Sequence, residues 1–329
     1  MMNSRLHEVS IMRVILILLI VLGHVFAVYG TSQSWPLPYG WDANRLYRWV
    51  NPIVISFALQ TFVFISGYLF AYQHHNKKIT FLSTLKSKLH RLYLPTIFWG
   101  ILYSYLILNA CPFSFDGVTD ILTGVGHLWF LPMLFWCFLF MQLFLNTISK
   151  VNISNFVFLT VLSGLSLFLP SIFRVSEFCF YFIYFVLGYW IYGFKKECNQ
   201  KKINLLLLWA IVFVLCLFKC LLLSDVLELH YPVLNMWTVR FLLGIAGSLA
   251  LYFTALRYHE KFASFTNVLD WQGWFGIYIV HQFILKLLYY KTEYCSFVQS
   301  PWITFFIVFL LSVLIVVLLR KIKIFRGLL

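Results

Sequence analysis

Long apolar runs separated by short polar breaks dominate the chain. A membrane span needs about 20 consecutive apolar residues, and ten stretches qualify: 10–30, 50–72, 92–110, 127–148, 152–172, 176–194, 203–223, 237–257, 272–290 and 301–320. The first, second, seventh and tenth are the clearest. The fourth to sixth are parted only by a short break around Pro170 and Arg174. The first run lacks the small-residue cleavage pattern of a signal peptide and is followed by further spans, so it reads as a mature helix. No internal repeat, long linker or soluble domain interrupts the series. The pattern predicts an all-α integral membrane protein, with about ten transmembrane helices in one bundle and a single domain over residues 1–329.

Charge orients this bundle. Lys77, Lys78, Lys86, Lys88 and Arg91 follow the second run, and Lys195, Lys196, Lys201 and Lys202 follow the sixth. Arg320, Lys321, Lys323 and Arg326 follow the tenth. With ten spans all three groups share one side. The opposite side receives "CPFSFDGVTDILTGVG" and "SDVLELHYP", with Asp116, Asp120, Asp225 and Glu228. The cytoplasmic excess of basic residues places both termini in the cytoplasm. Arg45 and Arg48, beside Asp42 in the external 31–49 loop, depart from the rule. The Trp, Tyr and Pro residues of that loop suit interface anchoring and, less commonly, stacking on sugar rings.

Composition agrees with a membrane protein: 62% of residues are hydrophobic and 11% charged. The net charge of +14 has two possible causes, nucleic acid or the positive-inside bias. The loop distribution accounts for most of it without nucleic acid. Seven cysteines lie mostly within apolar runs and form no CxxC pair. Cys111 and Cys295 fall in expected external loops, which leaves one bridge open. HExxH, Walker, Rossmann and GxSxG patterns are absent, so no metal site, ATP-driven transport or serine hydrolase is indicated.

Polar residues inside the runs carry whatever chemistry there is, because an ionisable group in hydrocarbon is expensive. Arg13 and His24 are eleven positions apart. At about 100° per residue they lie within roughly 20° of one face and about 16 Å apart along the axis. Arg13 sits near the cytoplasmic boundary and His24 past the midplane. Two readings stay open for each. Arg13 either snorkels to headgroups or holds a phosphorylated cofactor. His24 is either a neutral interhelical partner or a general base. Glu8 lies just before this pair. His127 and Trp129 open the fourth run, Arg240 lies near the outer end of the eighth, and His281 with Gln282 lies deep in the ninth. Anchoring, headgroup contact and interhelical bonding are the ordinary alternatives for these.

Five stretches in order resemble the membrane-bound acyltransferase family 3, which includes bacterial O-acetyltransferases of surface polysaccharides. They are "EVSIMRVILILLIVLGH", "FVFISGYLF", "KLHRLYLPTIFW", "HLWFLPMLF" and "FGIYIVHQF". The likeness covers roughly residues 5 to 320. It implies ten core helices and an acyl-CoA donor, usually acetyl-CoA, arriving from the cytoplasm. It also implies a sugar hydroxyl of a cell-surface or lipid-linked glycan as acceptor, in a bacterial inner membrane whose lipids surround the chain. The family's essential Arg-x10-His pair falls on Arg13 and His24, while Glu8 stands where many members have aspartate. The resemblance therefore marks His24 and Arg13 as catalytic. Arg13 would contact the donor, with Lys86, Lys88 and Arg91 as further donor-side residues. His127, Trp129, Arg240 and the 31–49 loop would be acceptor-side candidates, and Glu8 would be a further substrate-binding residue. Direct transfer and an acyl-histidine route are both compatible. The competing functions are a transporter or flippase of a glycan or acyl-bearing substrate, and a membrane partner that supplies acyl groups to a separate transferase.

Overall fold

The structure is a computed structural model and describes residues 6–30, 35–77, 79–195, 197, 203–224, 232–265, 271 and 273–329. Lys78, Lys196, Lys201, Lys202, Cys198, the start of the 31–49 loop and the acidic 225–231 stretch lie outside these. The described residues are helical, without strands. In chain order the α-helices begin with α1 (His7–Val25), α2 (Val50–Val54), α3 (Ala58–Asn76), α4 (Phe81–Lys88) and α5 (Leu94–Leu106). Next come α6 (Phe115–Thr123), α7 (Phe130–Leu143), α8 (Leu145–Ile148), α9 (Ile153–Leu165) and α10 (Val175–Gly193). The rest are α11 (Leu205–Leu223), α12 (Pro232–Tyr258), α13 (Trp274–Tyr290), α14 (Tyr294–Phe297), α15 (Pro301–Leu319) and α16 (Lys323–Arg326).

All ten expected segments contain a helix, but seven stretches among the described residues are long and apolar enough to cross a membrane. The expected count of about ten is therefore not confirmed. Helices α5 and α9 have 13 residues each and α13 has 17. At about 1.5 Å per residue, 13 residues span about 20 Å against a core of about 30 Å. Local winding explains the shortening of α5. Residues Leu89–Tyr93 before it are wound as a π-helix, and Asn109 just beyond it takes φ 52°. Helix α9 stops at Leu165, ahead of the break expected around Pro170.

The second run holds a further correction. A continuous helix over 50–72 was expected, yet the backbone breaks at residues 55–57, between α2 and α3. The Ser56 amide bonds to Ile53 O rather than to Pro52 O, four residues back. Pro52 O instead accepts the Ser56 hydroxyl and the Lys219 ammonium, the latter at 2.8 Å. The Thr61 amide then bonds to Phe57 O and helix resumes.

Packing divides the described residues into two compact units. The first draws on Met1–Phe62 and Lys201–Val317, the second on Val63–Gln200 and Leu318–Leu329. In the first, α1 packs against α2, α12 and α13, while α11 lies along α12. Helix α11 turns Leu206, Phe213 and Val214 outward, the surface a lipid-facing helix presents. Its inward stripe runs Leu205, Val212, Cys216 and on to Lys219. In the second unit α7, α9 and α10 pack around an aromatic core. The Phe138 and Phe185 rings meet edge-to-face at 4.9 Å, with Phe70 5.9 Å from each. Gly67 and Gly188 allow α3 and α10 to touch backbone to backbone. A Cβ on Gly67 would run into the Phe185 carbonyl, and one on Gly188 into that of Phe64. The tail closes this unit, with the Trp99 indole donating to Leu328 O at 3.1 Å and Phe325 against Phe98.

Candidate functional site

Helix α1 carries Glu8, Arg13 and His24 in the first unit. Glu8 is buried in the first turn, where a helix N-terminus favours negative charge. Arg13 is half-buried in the second turn. His24 lies at the other end, where α13 packs alongside. Gly23 before it is small because α2 comes close. Asn51 Nδ2 donates to Gly23 O at 2.6 Å, and a Cβ on Gly23 would meet Ile55 Cγ2.

The central feature is a pair of histidines. His24 Nδ1 lies 2.9 Å from Ile20 O, and His281 Nδ1 lies 3.0 Å from Ile277 O. A carbonyl oxygen only accepts, so both rings hold their proton on Nδ1. His281 Nε2, 3.3 Å from His24 Nδ1, is then a lone pair that shares the His24 proton. A proton on His281 Nε2 would set two N–H groups against each other. This arrangement fixes the tautomer of His24 and leaves its Nε2 as the unprotonated nitrogen.

Around the pair stands an aromatic and cationic rim. The Trp35 ring lies 5.9 Å from His24, and Lys286 Nζ sits 4.0 Å over Trp35 and 5.2 Å from Tyr290. The Tyr289 hydroxyl donates to Val25 O and the Tyr290 hydroxyl to Pro36 O. Trp41, a candidate for sugar stacking, is buried against Tyr289 and donates to Val298 O. It serves as packing, and Trp35 is the indole beside the histidine.

The other expected site residues distribute as follows. Arg240 lies in the first unit on α12 with an exposed side chain, and its charge acts on Lys219. Lys86, Lys88, Arg91, His127 and Trp129 belong to the second unit. Lys86 and Lys88 diverge. Lys86 lines an open apolar groove of about 620 Å³ with Leu82, Leu89 and Tyr93. Lys88 turns inward and places Nζ 3.6 Å over the Phe138 ring. Burial, then the nearby charge of Arg91, pushes the Lys88 ammonium down to about 8. His127 is buried with its ring 6.0 Å from Tyr103, and Trp129 packs on Phe130 and Tyr181. The Thr123–Gly124 turn just before them is clamped by Arg174, which donates to both carbonyls and pairs with Glu177 at 3.0 Å.

The six described cysteines are free thiols, Cys111 exposed and Cys295 buried, so these two are not bridged. Among the described residues no three His, Cys, Asp or Glu side chains gather as a metal site. Sequence reasoning missed Lys219 and Lys286. Each is the only charged residue in its apolar run, a signal available in the sequence.

A model of acyltransferase family 3, described as an acyltransferase domain, matches residues 6–321. No curated protein and no solved structure matches the chain significantly.

Proposed function

The chain belongs to acyltransferase family 3 and is a membrane acyltransferase, and on that premise we propose that it transfers an acyl group, most simply acetyl, from cytoplasmic acyl-CoA to a sugar hydroxyl of a cell-surface or lipid-linked glycan. The observation that carries this reading is the contact between His24 Nδ1 and His281 Nε2 at 3.3 Å. His24 Nε2 takes the proton of the acceptor hydroxyl. The hydroxyl oxygen attacks the thioester carbonyl, a C–O bond forms and the C–S bond breaks. His24 Nε2 returns its proton to the departing thiolate. While His24 is an imidazolium, its Nδ1–H bond to His281 Nε2 becomes charge-assisted and stronger. His281 is thus a positioning residue that favours the charged intermediate state.

Arg13, about 16 Å from His24 along α1, supplies a fixed charge for the phosphates of the donor. Arg240, on α12 of the same unit, serves the acceptor, and Glu8, near Arg13 at the cytoplasmic end of α1, is a further substrate-binding residue. Charge distribution supports an orientation with both termini cytoplasmic, and the family resemblance supports a bacterial inner membrane.

The test is acetyl-CoA turnover by the purified protein with cell-surface glycan. We expect His24→Ala to lower kcat about 10²- to 10⁴-fold, the range of a positioned base. Arg13→Ala should raise the KM for acetyl-CoA more than it lowers kcat. His281→Leu should lower kcat and leave that KM unchanged. A folded wild-type protein that neither releases CoA nor acylates glycan, or a fully active His24→Ala variant, sinks the reading.

A further inference from the structure

Gln60 is buried on α3 at 3% exposure, and its side-chain oxygen Oε1 has no donor among the described residues. A buried amide oxygen left without a partner costs about 1–3 kcal/mol. Rotating the amide exchanges a buried acceptor for a buried donor and leaves the position equally unpaired. Buried polar groups are hydrogen-bonded in the great majority of cases, so an orphan of this kind points to a missing partner.

The depth of Gln60 identifies that partner. Tyr47 packs on Phe26 and Tyr29, beyond the end of α1. Asn51 and Ile55 then meet Gly23. The chain therefore runs back along α1 as it passes from 47 to 55. Gln60 is five residues further in the same direction, in the first turn of α3. The level of Gln60 falls between His24 and Arg13. Its neighbour Thr61 is already satisfied, bonded to Phe57 O and to the Ser248 hydroxyl. Gln60 Oε1, unlike the Thr61 hydroxyl, has no hydrogen-bond partner among the described residues.

A donor whose phosphates rest at Arg13 and whose thioester rests at His24 must lay its connecting arm along this depth. The arm of coenzyme A is a pantetheine chain with secondary amides. We propose that Gln60 is a donor-binding residue whose side-chain carbonyl accepts a hydrogen bond from an amide N–H of the pantetheine arm. The proposal rests on the acyl-CoA reading above and adds the residue that recognises the arm. The break at 55–57 fits this role, since interrupted membrane helices recur where a substrate is bound.

The experiment compares wild type with Gln60→Met on two donors, acetyl-CoA and an S-acetyl alkanethiol that has no amide. One lost hydrogen bond of ordinary strength corresponds to roughly a tenfold change. Gln60→Met should raise the KM for acetyl-CoA about tenfold and leave that for the amide-free thioester unchanged. The melting temperature of the ligand-free variant should stay the same or rise, because the orphan is removed. A merely structural glutamine would lower the melting temperature and impair both donors alike. That result, or an unchanged KM for acetyl-CoA, overturns the proposal. A wild-type protein that uses neither donor overturns the acyl-CoA reading and this proposal together, an outcome distinct from failure at Gln60 alone.

Discussion

Lys88 is held over the Phe138 ring, outside the apolar spans, with its ammonium pushed down to about 8 by burial. It is charged below that pH and neutral above it. If it draws in the donor phosphates, the KM for acetyl-CoA should climb as pH rises from 7 to 9, with a midpoint near 8. Lys88→Met should flatten that profile, whereas a profile identical to wild type would remove Lys88 from the donor site. Linkage has its own sign. Between about 8 and the ordinary lysine value the unfolded chain binds more protons, so the burial penalty fades and stability rises with pH. At this scale the sequence was informative where a single helix decides the outcome. Eleven residues between Arg13 and His24 place them on one face whatever surrounds them. The partnership of His24 with His281 was out of reach, because it depends on which helices are neighbours. The inward turn of Lys88 and the outward turn of Lys86 were likewise hidden among basic residues that the positive-inside bias explains equally well.

Among the elements, α2 and α3 show a break that hydropathy does not register, since residues 55–57 are as apolar as their surroundings. What marks it is the bonding of one carbonyl. Pro52 O loses its helical donor and gains Lys219 from α11. Lys219→Met removes that bond while Ser56 still serves the carbonyl. The expected cost is about 1–2 kcal/mol, read as a lower melting temperature in detergent, and an unchanged or higher value would show that the lysine does not hold the break. The lengths of α5 and α9 escaped the sequence for a related reason. A run of apolar residues reports what the side chains tolerate, whereas helix ends depend on backbone turns such as Asn109 at positive φ. The existence and order of the helices were legible, as all ten runs contain one.

On the scale of the whole molecule, loop charge supplies an orientation that exposed thiols test. Cys111 is free and exposed. In intact cells a membrane-impermeant maleimide should label Cys111, and should label a Lys150→Cys variant lacking Cys111 only after the membrane is opened. Labelling in the reverse order would invert the topology. The tail has a consequence for synthesis. Trp99 meets its acceptor, Leu328, 229 residues later in the sequence. The ribosome therefore completes helices α4 to α10 of the second unit long before this bond can close. Until then the Trp99 indole waits beside an empty berth, and its emission colour offers a clock for the moment when the nascent protein finishes folding.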